Sequence, residues 1–200
     1  YNPLCGDRVT VMLALDPDGR VADIKFAGKG CAISQASASM MTEMLAGRTL
    51  PEAQKLMGEM KDDRSKAIIK GAIAMVGKKK IASIGWCMGG AWSLQSALLE
   101  GKHAVGCVMY YGMPETDLKK LKTLHGDVLG IFALRDGFIT PEIVKTFQAN
   151  MKLLKKNITV YNYDSYHAFA NPSNPRHNKE YAADAHAKAL AYLKERLFGK

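Results

Sequence analysis

Three residues of this chain have the chemistry of a hydrolytic relay: a thiol at Cys87, a carboxyl at Asp136 and an imidazole at His167. Cys87 stands in Gly85-Trp86-Cys87-Met88-Gly89, the pattern of a nucleophile held on a sharp turn between a strand and a helix. Glycines flank such a turn because a Cβ would collide where the strand end meets the helix. A helix opening at Met88 sets its positive end against the thiol, which favours the thiolate, and offers the Met88 N–H as an oxyanion donor. Asp136 follows the apolar run Val128–Leu134, and His167 follows Ile158–Tyr163. Open α/β sheets place their sites at such strand ends. His167 would take the thiol proton and later return one to a leaving group, with Asp136 orienting the ring and stabilising its cation.

The elements that must position these groups are legible as alternation and punctuation. Arg8–Leu15 and Arg20–Ala27 alternate around Asp16-Pro17-Asp18-Gly19, which predicts an antiparallel hairpin. Helices are expected over Ala32–Ala46, closed by Gly47, and over Pro51–Met60. A third helix is expected over Ala67–Val76, ended by Gly77. Ile81–Ile84 reads as a short buried strand, followed by a helix from the Cys87 turn to Leu99. Ala104–Tyr111, Val128–Leu134 and Ile158–Tyr163 read as further strands, with helices over Pro141–Lys156 and Tyr181–Leu197. Apolar strands alternating with helices predict an α/β class, a mostly parallel sheet with helices on both faces, preceded by the antiparallel hairpin plus helix.

Composition narrows the function classes. Hydrophobic residues make up 48% and charged residues 24% of the 200, ordinary globular values. No apolar run approaches the roughly 20 residues that span a bilayer, and Tyr1-Asn2-Pro3 opens no secretory leader pattern. Four irregularly spaced cysteines (Cys5, Cys31, Cys87, Cys107) do not form a disulfide framework, which leads to the expectation of a cytoplasmic protein. Residues 1–50 hold five Lys/Arg and five Asp/Glu, so the net charge of +9 belongs to the remainder. Its lysines fall at ends and outer faces of the expected elements, without interleaved aromatics, and so predict a solvated surface and no nucleic-acid partner. His103, His125, His177 and His186 read as surface residues, and Cys107 as a small core residue.

Lys80–Gly90 (KIASIGWCMGG), Tyr110-Tyr111-Gly112, Gly130–Asp136 with Ile139-Thr140-Pro141-Glu142, and His167-Ala168-Phe169-Ala170-Asn171-Pro172 resemble the C-terminal part of the dienelactone hydrolase family. The order nucleophile, acid, histidine is that of α/β-hydrolases, and the spacings of 49 and 31 positions suit this family. The resemblance covers residues from about 60 onward and implies a partial α/β-hydrolase sheet. It also implies hydrolysis of a small activated ester or lactone through a thioester, with Cys87, Asp136 and His167 catalytic, Met88 in the oxyanion hole and no cofactor. Family members that act on dienelactone hold the substrate carboxylate with an arginine four positions after the histidine, where this chain has Asn171. The family's upstream strands, second oxyanion donor and glutamate partner of the thiol have no matching positions here.

Residues 2–50 carry other wording. Asn2-Pro3-Leu4-Cys5-Gly6-Asp7, Lys25–Gly30, Gly30-Cys31-Ala32-Ile33-Ser34 and Ala36–Met41 resemble the U-type iron–sulfur cluster scaffold proteins, especially the SufU branch. That resemblance implies Cys5, Asp7 and Cys31 as ligands of zinc or a nascent iron–sulfur cluster, and a cysteine desulfurase as partner. The organisation expected is therefore a scaffold-like segment over 1–50, a helical junction over 51–60 and a hydrolase-like segment over 61–200, the pattern of a fusion or chimera. A homodimer covering an open sheet edge would be one way to replace the lost strands. Three functions follow: a cysteine hydrolase, a zinc or cluster scaffold, and a recombined chimera with neither activity.

Overall fold

The computed structural model describes residues 8–29, 39, 41–53 and 62–199. The chain divides into two compact units, one running to Ser65 together with Ser173–Pro175, the other comprising Lys66–Pro172 and Arg176–Lys200.

In the first unit, β1 (Arg8–Leu15) and β2 (Val21–Lys29) form the expected antiparallel hairpin, with Thr10 opposite Ala27 and Leu13 opposite Ile24. The turn closes because the Asp16 carboxylate accepts the N–H groups of Asp18 and Arg20, at 3.0 and 2.8 Å, while Gly19 takes φ +74°. Val21 N–H donates to Arg48 O and Gly47 N–H to Val21 O, and Arg20 bridges Thr49, so residues 47–49 pair with the start of β2. Residues 41–45 are helical, within the helix expected over Ala32–Ala46, and residues 50–53 are helical from one position before the expected Pro51. The second turn is held by a capping box: Glu52 accepts from the Thr49 N–H at 2.9 Å, and Thr49 Oγ1 accepts from the Glu52 N–H.

In the second unit, a four-stranded parallel sheet runs in the order β3 (Ile81–Trp86), β4 (Ala104–Tyr110), β5 (Asp127–Ala133), β6 (Ile158–Tyr163). Helices α1 (Asp62–Val76, in this unit from Lys66), α2 (Met88–Glu100), α4 (Pro141–Leu153) and α5 (Lys179–Phe198) match those expected, and a short α3 (Leu118–Lys122), capped by Asp117, adds to them. α1 begins five residues before the expected Ala67.

The period of two sorts the central strands between two cores. Cys107, Met109, Val128 and Phe132 pack with Leu94 and Ala97 of α2 and with Val144, Phe147 and Met151 of α4. Val108, Tyr110, Leu129 and Ile131 face the opposite way, onto Phe169 and onto Ala185 and Ala189 of α5. Helices thus cover both faces. Each fully buried Leu, Ile or Phe stabilises this arrangement by roughly 1.5–3 kcal/mol.

The expectation of a buried Ile81–Ile84 strand needs correction. Among the described residues β3 pairs with β4 alone, and Ile84 and Trp86 are exposed. An apolar run marks a strand of a parallel sheet, but burial on both faces requires neighbours on both edges.

Candidate functional site

β3 delivers Cys87 and the turn after it starts α2 at once, with Cys87 at φ 56°, ψ −122°. A non-glycine residue holds this backbone only where its surroundings enforce it. Cys87 N–H donates to Tyr110 O at 3.0 Å, and Cys87 O accepts from Gly90 and Ala91. The glycine requirement is geometric: a Cβ on Gly85 would lie 2.0 Å from Gly89 O. Gly112 serves the adjoining approach, since a Cβ there would meet Ala91 N at 2.4 Å. Of the four non-glycine residues at positive φ among those described, three cluster here: Cys87, Tyr111 and Ala168.

Asp136 follows β5 and His167 follows β6, and their loops are tied together. Leu134 N–H donates to Tyr163 O and Arg135 N–H to Ser165 O. The Arg135 guanidinium forms a two-pronged pair with Asp164, each bond 2.6 Å. Behind His167, the loop is held where Asn178 N–H donates to Phe169 O and the His177 ring contacts the same carbonyl at 2.9 Å. His177, expected as a plain surface residue, therefore has a bracing contact.

The three groups named from the sequence come together. His167 Nδ1 lies 2.6 Å from Asp136 Oδ2 and His167 Nε2 lies 3.2 Å from Cys87 Sγ. Asp136 is buried, and its other oxygen accepts the N–H groups of Phe138 and Ile139, at 2.8 and 3.0 Å. Burial pushes the Asp136 carboxyl up, but the bonds from His167, Phe138 and Ile139 outweigh it and leave the group below its ordinary value. Burial likewise pushes His167 down, yet the bonds to Asp136 and Cys87 raise it to about 9. The ring is therefore poised as a cation between two groups able to carry negative charge.

Tyr111 and Phe138, which spacing alone did not single out, enclose the imidazole at centroid distances of 5.0 and 6.4 Å. Trp86 stacks on Tyr110 at 5.1 Å. Met88 is the first residue of α2, where a backbone N–H has no partner within its helix. Cys107 is buried, its thiol pushed up to about 12 by burial, and it lies 3.4 Å from Ser93 Oγ. Cys5, Asp7 and Cys31 lie outside the described residues. Among the described residues no group of three His, Cys, Asp or Glu side chains could hold a metal ion, and no helix is long and apolar enough to cross a membrane.

Comparison with known proteins gives two kinds of similarity. The dienelactone hydrolase family model matches residues 31–197. A provisionally named carboxymethylenebutenolidase of Saccharolobus solfataricus is 32% identical over 123 residues, 61% of this chain and 47% of that protein. The zinc-dependent sulfurtransferase SufU of Bacillus subtilis is 52% identical over 52 residues, 26% of this chain and 35% of that protein. This chain thus spans about half the length of the first relative and about a third of the second. Among solved structures, a provisionally named dienelactone hydrolase of Klebsiella pneumoniae superposes with TM-score 0.63 at 19% identity, covering 74% of this chain and 68% of that one. A dienelactone hydrolase-like promiscuous phosphotriesterase from metagenomic libraries superposes with TM-score 0.62 at 15% identity, covering 94% and 98%. These likenesses establish the fold. The family match opens at Cys31, upstream of the motifs that begin near residue 60, and so takes in part of the segment with scaffold-like wording.

Proposed function

Because the chain belongs to the dienelactone hydrolase family, we propose that it is a cysteine-dependent hydrolase of small activated esters or lactones acting through a thioester. The observation that carries this reading is the single imidazole 3.2 Å from the Cys87 sulfur and 2.6 Å from the Asp136 carboxylate. His167 takes the thiol proton, and the Cys87 sulfur attacks the carbonyl carbon. The Met88 N–H donates to the oxyanion, and the alkoxide leaves with the proton returned by His167. Water, deprotonated by His167, then adds to the thioester and expels the Cys87 thiol, releasing the acid. Asp136 holds the ring and stabilises its cation throughout. No cofactor enters either half.

Asn171 in place of an arginine supports a substrate other than an anionic dienelactone. A thiol nucleophile suits a reducing compartment such as the cytoplasm. The test is turnover of an aryl acetate: Cys87→Ala should abolish it, and activity surviving that change would falsify the reading. Wild-type protein without any turnover would favour a chimera in which the motifs are relics. Among the described residues the edge of β3 away from β4 is unpaired, and a second copy would dock there; a strictly monomeric sedimentation profile would remove that homodimer.

The 52% identity to a zinc-dependent sulfurtransferase favours a second reading for the N-terminal segment. In it, Cys5, Asp7 and Cys31 bind zinc or a nascent iron–sulfur cluster and a cysteine desulfurase is the partner, with the seam at residues 51–60. Stoichiometric zinc or iron in purified protein, lost on Cys5→Ala or Cys31→Ala, is the expected result. Metal content unaltered by both changes would sink it.

A further inference from the structure

A cleft of about 560 Å³ opens in the second unit, lined by residues that begin β5 and β6, by the last turns of α4 and by Arg196 of α5. It lies at the N-terminal ends of the strands, whereas Cys87, Asp136 and His167 follow C-terminal ends, so it is separate from the site above. Its volume is that of a small-molecule site rather than of a single ion.

Three cations line it, Lys152, Lys156 and Arg196, against one carboxylate, Asp127. The two oxygens of Asp127 are engaged: Asn157 Nδ2 donates to one at 3.0 Å, and Arg196 Nη2 pairs with the other at 2.8 Å. Lys156 Nζ donates to Leu124 O at 2.6 Å, which fixes that ammonium beside the cleft without neutralising it. Arg196 Nη1 pairs in turn with Glu195 at 3.1 Å, so this guanidinium is spent on two carboxylates, and the cations of the lining that no carboxylate meets are Lys152 and Lys156. Unspent donors accompany them. The side chains of Gln148, Lys152 and Thr159 make no hydrogen bond or ion pair among the described residues. Val128 and Ile158 give the lining an apolar part.

We propose that this cleft binds a small phosphomonoester, its phosphate held by Lys152 and Lys156 and its organic part against Val128 and Ile158. A phosphomonoester carries close to two negative charges at neutral pH and three strong acceptors, which match the ammonium groups of Lys152 and Lys156 and the idle donors. A bare inorganic anion would leave most of the volume unfilled.

Calorimetric titration of the full chain with ribose 5-phosphate, inorganic phosphate, sulfate and ribose, at ionic strength held constant with potassium chloride, tests this. Ribose 5-phosphate should bind saturably with one site per chain and more tightly than phosphate, and ribose alone should give no signal. Lys152→Glu, at an exposed position, should weaken binding by at least about tenfold, while Lys152→Arg retains it. Heats that never saturate, equal affinities for ribose 5-phosphate and sulfate, or binding unaffected by Lys152→Glu would each overturn the assignment. Aryl ester turnover measured on the same preparations keeps this outcome separate from that of the Cys87 site.

Discussion

The hairpin and the parallel sheet are both built from alternating or apolar strands, yet among the described residues only the sheet encloses a core. In β1, Val11, Met12, Leu13 and Leu15 are all exposed, between 37% and 51%, on both faces of the strand. Among the described residues of that unit only Val21, Leu45 and Ala53 are buried hydrophobics. In the sheet, Cys107, Val108, Met109 and Ile131 have no exposure at all. Alternation makes a strand, but stability comes from what covers it, and a two-stranded ribbon has little to cover it with.

The contrast can be broken most sharply in the core. Phe147→Ala removes a ring buried between α4 and the sheet, and should cost about 3–5 kcal/mol in urea unfolding followed by far-UV circular dichroism. A cost below about 1 kcal/mol would mean that the sheet's core is as loose as the hairpin.

Charge sharpens the same difference, because the sheet unit buries titratable groups while Asp23 and Lys25 of the hairpin pair in solvent. His167 is raised to about 9, so its contribution to stability is fully present below its unfolded value near 6.5 and is lost as pH climbs through about 9. Unfolding free energy should fall on the order of 3 kcal/mol across that window. His167→Gln should flatten the slope, and an unchanged slope in that variant would place the titration elsewhere.

Glu100 acts in a single direction. One carboxylate oxygen is buried without a partner, and burial pushes the group up to about 7. The folded state therefore disfavours the charged form, and stability declines as pH rises from about 4.5 through 7. Glu100→Gln should raise stability at pH 8 by about 1–2 kcal/mol and have little effect at pH 5. The smallest effect belongs to the hairpin: Met12→Ala should stay within about 0.5 kcal/mol of wild type. A larger loss would show that β1 is covered by something its exposure does not reveal.

Much of this was legible in the sequence because the site residues follow punctuation. Cys87 sits between two glycines at a strand-to-helix turn, and Asp136 and His167 each follow an apolar run, so their convergence could be read from strand order. The bracing could not. Arg135 and Asp164 lie 29 positions apart and meet only because β5 and β6 are neighbours. Tyr111 and Ala168 look ordinary as residue types, and only the fold forces their positive φ. The exposure of β3 depends on which strands are present at its edge, which its own six residues do not encode. Thr49-Leu50-Pro51-Glu52 is the opposite case, a capping box whose spacing alone marks a helix start one residue before the proline.

The extent of the family match adds a point about the junction. It begins at Cys31, while the hydrolase motifs begin near residue 60, so the two similarities meet across a stretch rather than at one bond. The chemistry proposed rests on the unit after Ser65, whose site is assembled from its own three strand ends.

The most direct test is rapid-quench mass spectrometry of the protein mixed with an aryl acetate, followed by peptide mapping. An acetyl group on the peptide containing Cys87, removed by hydroxylamine and absent from the Cys87→Ala variant, is the result this account predicts. Ester turnover with no acyl group on Cys87, or with the label on another residue, would contradict it.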